Sequence, residues 1–127
     1  MSHYKLALLG FGNVGQALAR LLMEKQQDLK QKYDITYRIT GIATSRHGKA
    51  LDPDGLDIQK AIELVKIDHS LREISKRPAS ETMLDFIRVC GAHVLFENTP
   101  VDYASGQPAI DHLRAALELG MHAITAN

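Results

Sequence analysis

The 127-residue sequence predicts an α/β fold, a doubly wound parallel sheet forming a single domain over residues 1–127. Three observations carry this expectation. Short apolar runs alternate with segments whose apolar residues recur at helical spacing, the pattern of parallel strands joined by crossover helices. The first run stops at a glycine-rich turn that opens directly into a helix. No internal repeat, low-complexity tract or linker interrupts the alternation.

The elements follow in order. Tyr4 to Leu9 is a short apolar run ended by Gly10, as a buried parallel strand is. A long helix follows, with Val14, Ala17, Leu18, Leu21 and Leu22 as its expected apolar stripe and a polar, solvated stretch from Glu24 to Lys32. The next strand runs from Ile35 to Thr44, and Gly48, Pro53 and Gly55 mark an irregular surface loop after it. Asp57 to Ile67 reads as a short helix with Ile58, Ala61, Ile62 and Val65 buried. Pro78 and Ser80 introduce another helix through Met83, Leu84, Ile87 and Cys90, and Ala92 to Phe96 forms a buried strand. Ser105-Gly106-Gln107-Pro108 has the composition of an N-cap and first turn. Ala109, Leu113, Ala116 and Leu117 give that helix its inner stripe, Gly120 ends it, and Ala123 to Thr125 begins a last strand.

Composition bounds the function class. Fifteen basic and fifteen acidic residues leave a formal net charge of zero, so nothing electrostatic points to nucleic acid or to an anionic membrane. The six-residue N-terminal apolar run is too short for a signal segment or a membrane span, and a reducing cytoplasm is the expected compartment. A single cysteine, Cys90, excludes an internal disulfide and reads as a buried, inert thiol. The six histidines are scattered without an i, i+4 pair, so no metal site is expected. No Ser-His-Asp or Cys-His arrangement suggests itself.

The chemistry concentrates at strand ends. Gly10-Phe11-Gly12-Asn13-Val14-Gly15 is G-x-G-x-x-G placed directly between a strand and an amphipathic helix. Gly10 permits the tight turn, Gly12 lets backbone approach a pyrophosphate, and Gly15 lets helix and strand pack closely. The free N–H groups at the helix start then face two phosphates, the arrangement of a Rossmann-type dinucleotide site. The second strand ends Ala43-Thr44-Ser45-Arg46-His47-Gly48, without the acidic residue that commonly binds the ribose hydroxyls of NAD. Arg46 has the charge to pair with a 2′-phosphate and Ser45 a hydroxyl to donate to it, which favours NADP(H) and leaves NAD(H) possible. Asn98, Thr99 and Pro100 follow the third parallel strand, where the nicotinamide ribose or ring is expected. Glu97 is expected to be structural, a carboxylate that accepts loop N–H groups.

Four segments together resemble the homoserine dehydrogenase family: the turn Gly10–Gly15, the strand end Gly41–Gly48, the run Phe96–Pro100, and Gly106–Asn127. The resemblance spans essentially the whole chain but only that family's N-terminal nucleotide domain. It implies an NAD(P)-dependent interconversion of L-homoserine and L-aspartate 4-semialdehyde, in the biosynthesis of threonine and methionine. It implies pyrophosphate neighbours at Phe11, Asn13 and Val14, a phosphate-side contact at Arg46, and nicotinamide-side contacts at Thr99 and Pro100. Asn127 closes the family's A-N strand end and joins the expected cofactor site. The family's following lysine and its substrate domain are not among these residues, so the resemblance implies no catalytic residue here, a substrate reached through a further domain, and a homo-oligomer. The cofactor domain of another amino-acid dehydrogenase, or a free-standing NADP(H)-binding module, would carry the same glycine turn.

Overall fold

The computed structural model describes residues 2–78, 80–100 and 102–125. Among these residues ten elements succeed one another. Strand β1 (Ser2–Leu9) leads to helix α1 (Asn13–Tyr33), strand β2 (Ile35–Ala43) and strand β3 (Lys49–Leu51). Helix α2 (Ile58–Lys66), a 3-10 turn (Leu71–Ile74) and helix α3 (Met83–Val89) come next, then strand β4 (Val94–Glu97), helix α4 (Ala109–Glu118) and strand β5 (His122–Thr125). The sheet order is β3-β2-β1-β4-β5, parallel throughout except for β3, which runs antiparallel to β2.

The apolar run of β1 lies at the centre because it is buried on both faces. Leu6 and Leu8 pack under α1 and α2 on one side, and Ala7 and Leu9 pack under α3 and α4 on the other. Chain order and sheet order together make the site. From β1 the chain crosses to β2 on one side and returns through α3 to β4 on the other, so a crevice opens between the carboxyl ends of β1 and β4.

The expected strands and helices form, with five corrections. The stripe of α1 is rotated: Gly15, Leu18, Ala19, Leu22 and Met23 face the sheet, whereas Val14 is 55% and Leu21 49% exposed. Gly15 sets that phase, because a Cβ there would stand 2.5 Å from the Gly10 carbonyl oxygen, and the helix must present its glycine to the turn. The loop expected around Gly48 begins instead as a hairpin into β3. The Thr44 N–H donates to the Gly48 carbonyl at 3.0 Å, and Thr44 Oγ1 accepts from the His47 N–H at 2.7 Å. In α2 it is Leu64 that is fully buried, with Val65 half-buried, because the 3-10 turn covers a second face of the helix through Leu71. Helix α3 is capped by Thr82, whose hydroxyl accepts from the Asp85 N–H, and not by Ser80. Helix α4 begins at Ala109, since Asp102 and Ser105 spend their side-chain oxygens on the preceding turn. Its inner stripe is Ala109, His112 and Ala116, while Leu117 is exposed.

Candidate dinucleotide site

The ends of β1, β2 and β4 meet because the backbone ties them there. The Gly10 N–H donates to the Ala43 carbonyl at 2.8 Å and the Asn98 N–H to the Leu9 carbonyl at 2.8 Å. Around this junction lies a cleft of about 540 Å³, lined by Gly10, Phe11, Gly12, Gln16, Thr44, Ser45, Arg46, His47, Val65, Asn98, Thr99, Pro100 and Pro108. A volume of that order suits a small-molecule or cofactor site.

The three turn glycines have three different surroundings. Gly10 has φ +84°, and a Cβ on it would stand 2.8 Å from the Asn98 carbonyl oxygen, so the crossing of β1 and β4 admits no side chain. Gly15 is closed by Gly10 itself. Gly12 has nothing within 4 Å of where a Cβ would point. Its missing side chain therefore leaves open a place beside the start of α1, where the first N–H groups of the helix have no intrahelical partner. Gln16 braces the turn from the helix, its Nε2 donating to the Phe11 carbonyl at 2.9 Å. The helix start carries no acidic residue and no side-chain cap, so an anion there meets no competing charge.

At the β2 end, Ser45 and Arg46 are exposed on the cleft, and neither makes a hydrogen bond or ion pair with a described residue. Beneath them the loop is fixed by His47, whose Nε2 meets Asp68 Oδ1 at 2.8 Å. The β4 end is more elaborate. Glu97 is completely buried, and its Oε1 accepts from the Thr99 N–H at 2.6 Å and the Thr99 hydroxyl at 2.5 Å. Its Oε2 is bonded to Nδ1 of His112, which is 4% exposed on α4. Burial alone would raise this carboxyl's pKa. The hydrogen bonds from His112 and from both Thr99 donors, with the electrostatic attraction of His112, prevail and hold it below the ordinary value. Asn98, between them, has a buried Nδ2 with no hydrogen-bond partner among the described residues.

Of the residues expected at a cofactor, Gly10, Phe11, Gly12, Ser45, Arg46, Asn98, Thr99 and Pro100 are gathered in this cleft. Asn13 and Val14 are exposed at the start of α1 beside it, and Gly15 is buried beneath the turn. Asn127 lies outside the described residues. Among the described residues no group of three or more His, Cys, Asp or Glu side chains is gathered as a metal site requires.

No family model matches the chain. It is 33% identical, over all of its 127 residues, to an NAD(+)-dependent homoserine dehydrogenase of Pseudomonas canavaninivorans, and covers 36% of that protein. It is 31% identical over 96% of its length to the homoserine dehydrogenase of Methanocaldococcus jannaschii, again covering 36%. The chain is related to the homoserine dehydrogenases. It spans about a third of the length of these relatives. Its fold is shared with a hyperthermophilic archaeal homoserine dehydrogenase solved in complex with NADPH, with a TM-score of 0.76, 20% identity, and coverage of 98% of this chain and 36% of that one.

Sequence reasoning assigns no site role to Gln16, Thr44, His47, Val65 or Pro108 of the cleft lining, nor to His112 behind it. Gln16 was legible only as a polar residue on α1, and Val65 only as part of the α2 stripe. Pro108 was assigned to a first helical turn rather than to a wall of the cleft. His112 carried the one available signal, a position three residues after Ala109 and four before Ala116, hence on the inner stripe of α4. Nothing local connects it with Glu97, fifteen residues earlier.

Proposed function

We propose that this chain is the NAD(P)-binding part of a homoserine dehydrogenase, the oxidoreductase that interconverts L-homoserine and L-aspartate 4-semialdehyde. The supporting observation is the cleft itself. It combines a glycine cradle left open at Gly12 with a wall formed by Asn98, Thr99 and Pro100, in a chain similar over 96–100% of its own length to proteins of that name. The dinucleotide supplies the hydride carrier. Backbone of Gly10, Phe11, Gly12, Asn13, Val14 and Gly15 would hold the pyrophosphate, with the α1 dipole behind it. Ser45 and Arg46 would face the adenosine ribose. Asn98, Thr99 and Pro100, with Asn127, would face the nicotinamide half.

NADP(H) is the preferred cofactor in this reading, since Arg46 is an uncommitted guanidinium and residues 44–48 offer no carboxylate to a ribose 2′-hydroxyl. NAD(H) is the second choice, and one relative is named for its use of NAD(+). The amino-acid substrate would be bound by a further domain, within a homo-oligomer working in threonine and methionine biosynthesis in the cytoplasm. Among the described residues no helix is long and apolar enough to cross a membrane. Fluorescence titration with NADPH and NADH tests the reading. Saturable binding of NADPH ahead of NADH is expected, and binding of neither would overturn it.

A further inference from the structure

The cleft residues that face the cofactor hang on a pair that does not line the cleft. Glu97 is the last residue of β4 and has no exposed surface, while His112 stands one turn inside α4 and is nearly as buried. Neither belongs to the cleft wall. Between them they fix the turn that does. The Thr99 N–H and hydroxyl both end on Glu97 Oε1, and His112 Nδ1 holds Oε2, so the carboxylate is clamped from two elements. Such a clamp fixes the position and tilt of the residue between its arms. That residue is Asn98, whose main-chain N–H is tied to Leu9 and which lines the cleft with Thr99 and Pro100.

We propose that Glu97 and His112 are positioning residues for the cofactor: the clamp between β4 and α4 fixes the turn Asn98–Thr99–Pro100, which lines the cleft where the nicotinamide half of the dinucleotide would lie. Glu97 and His112 touch no cofactor and act only through Asn98 and Thr99. The assignment rests on the cofactor reading of the cleft given above. It adds that α4, whose preceding residue Pro108 lines the cleft, takes part in the site through its inward face.

The test compares two ligands on the 127-residue chain. NADPH carries the nicotinamide half, and 2′,5′-ADP carries only the adenosine end. His112→Leu removes the clamp's second arm. It is expected to weaken NADPH about three- to tenfold, the worth of one misdirected hydrogen bond, and to leave 2′,5′-ADP unchanged. Asn98→Ala is expected to give the same selective loss, and His112→Asn, which can place an amide donor near the Nδ1 position, to restore most of the affinity. Unchanged NADPH binding by His112→Leu, or equal losses for both ligands, would overturn the proposal. If His112→Leu does not fold, His112→Gln, with its donor set farther along the side chain, serves in its place with the same expected selectivity. The free chain supplies a readout independent of any cofactor. In its NMR spectrum the Thr99 amide should shift and exchange faster when His112 is replaced, and recover in His112→Asn. If the unaltered chain bound neither ligand, the cofactor reading would fail. A Thr99 amide indifferent to His112 would overturn the clamp separately.

Discussion

Single side chains, or their absence, decide what the cleft accepts. Gly12 and Gly15 differ in what a side chain would meet, and their substitutions should therefore fail differently. A Cβ at Gly12 has nothing within 4 Å beyond its own chain neighbours, so Gly12→Val should leave circular dichroism and thermal stability close to those of the unaltered chain while NADPH binding is lost. Gly15→Ala drives a methyl into the Gly10 carbonyl and should cost about 1–3 kcal/mol in urea unfolding. Retained affinity in Gly12→Val would remove the turn from the site. Arg46→Ala should weaken NADPH by about one to two orders of magnitude, for a charge-assisted contact worth about 1.5–3 kcal/mol, and leave NADH nearly unchanged. Equal losses for the two cofactors would make Arg46 a support for the loop rather than a reader of the 2′-phosphate. At Glu97 the sign of the pH effect is fixed by the depressed carboxyl pKa. Its stabilising contribution is complete above the ordinary carboxylate range and is lost as pH falls through the depressed folded value. The stability gap between the unaltered chain and Glu97→Gln should therefore be widest near neutrality and narrow in acid. A gap independent of pH in urea unfolding would contradict the buried hydrogen-bonded carboxylate.

Elements settle against one another through a few tight approaches. The tip of the Phe86 ring on α3 reaches Gly41 of β2, where a Cβ would stand 2.6 Å from it. The register of β2 is irregular just before this glycine. Between Leu6 and Ala7 the pairing of β1 with β2 shifts by one residue, leaving Thr40 to bond the Cys90 carbonyl at 3.0 Å through its hydroxyl. Phe86→Ala should cost about 3–5 kcal/mol, the usual range for emptying a buried aromatic site, and urea unfolding measures it. A loss below about 1 kcal/mol would mean that α3 is held elsewhere. The apolar pattern already showed that α3 and β2 were buried. That they would meet at Gly41 was not legible, because the residues are 45 positions apart and a glycine in a strand signals close approach without naming its neighbour.

Taken whole, the molecule offers a cleft with cationic and neutral walls, the proposed cofactor site. Among the described residues its lining holds Arg46 and His47 but no Lys, Asp or Glu, and so no lysine–carboxylate pair to take a substrate hydroxyl proton. The chain by itself should accordingly bind NADPH and show no measurable NADP-dependent oxidation of homoserine. Positioning a substrate against a cofactor is worth about 7–11 kcal/mol of barrier, and no residue named here supplies it. Robust turnover would force a search for a base among the residues present. Apolar surface is also open at the sheet edge and on the outer helix faces, with Ile124 50%, Leu117 63% and Val14 55% exposed. Light scattering should show self-association driven by such surface, and a monomer at high concentration would argue against it.

The sequence by itself determined the alternation of strands and helices, the glycine turn and the polar ends of three strands. These are local properties, set by hydrophobic period and by glycine's lack of a side chain, and each is readable within a few consecutive residues. The expectation that Glu97 is a structural carboxylate accepting loop N–H groups was likewise local, and the structure supplies Thr99 as the donor. Only the tertiary structure decided the phase of α1, because that depends on which glycine meets the Gly10 carbonyl. The antiparallel turn of β3 was likewise hidden, being made by Thr44 and Gly48 bonding across a stretch whose composition reads as loop. The same holds for His112. A histidine on an apolar stripe is chemically ambiguous until the fold chooses its neighbour, and here the packing of α4 over β4 brings it to a carboxylate that no sequence spacing connects to it.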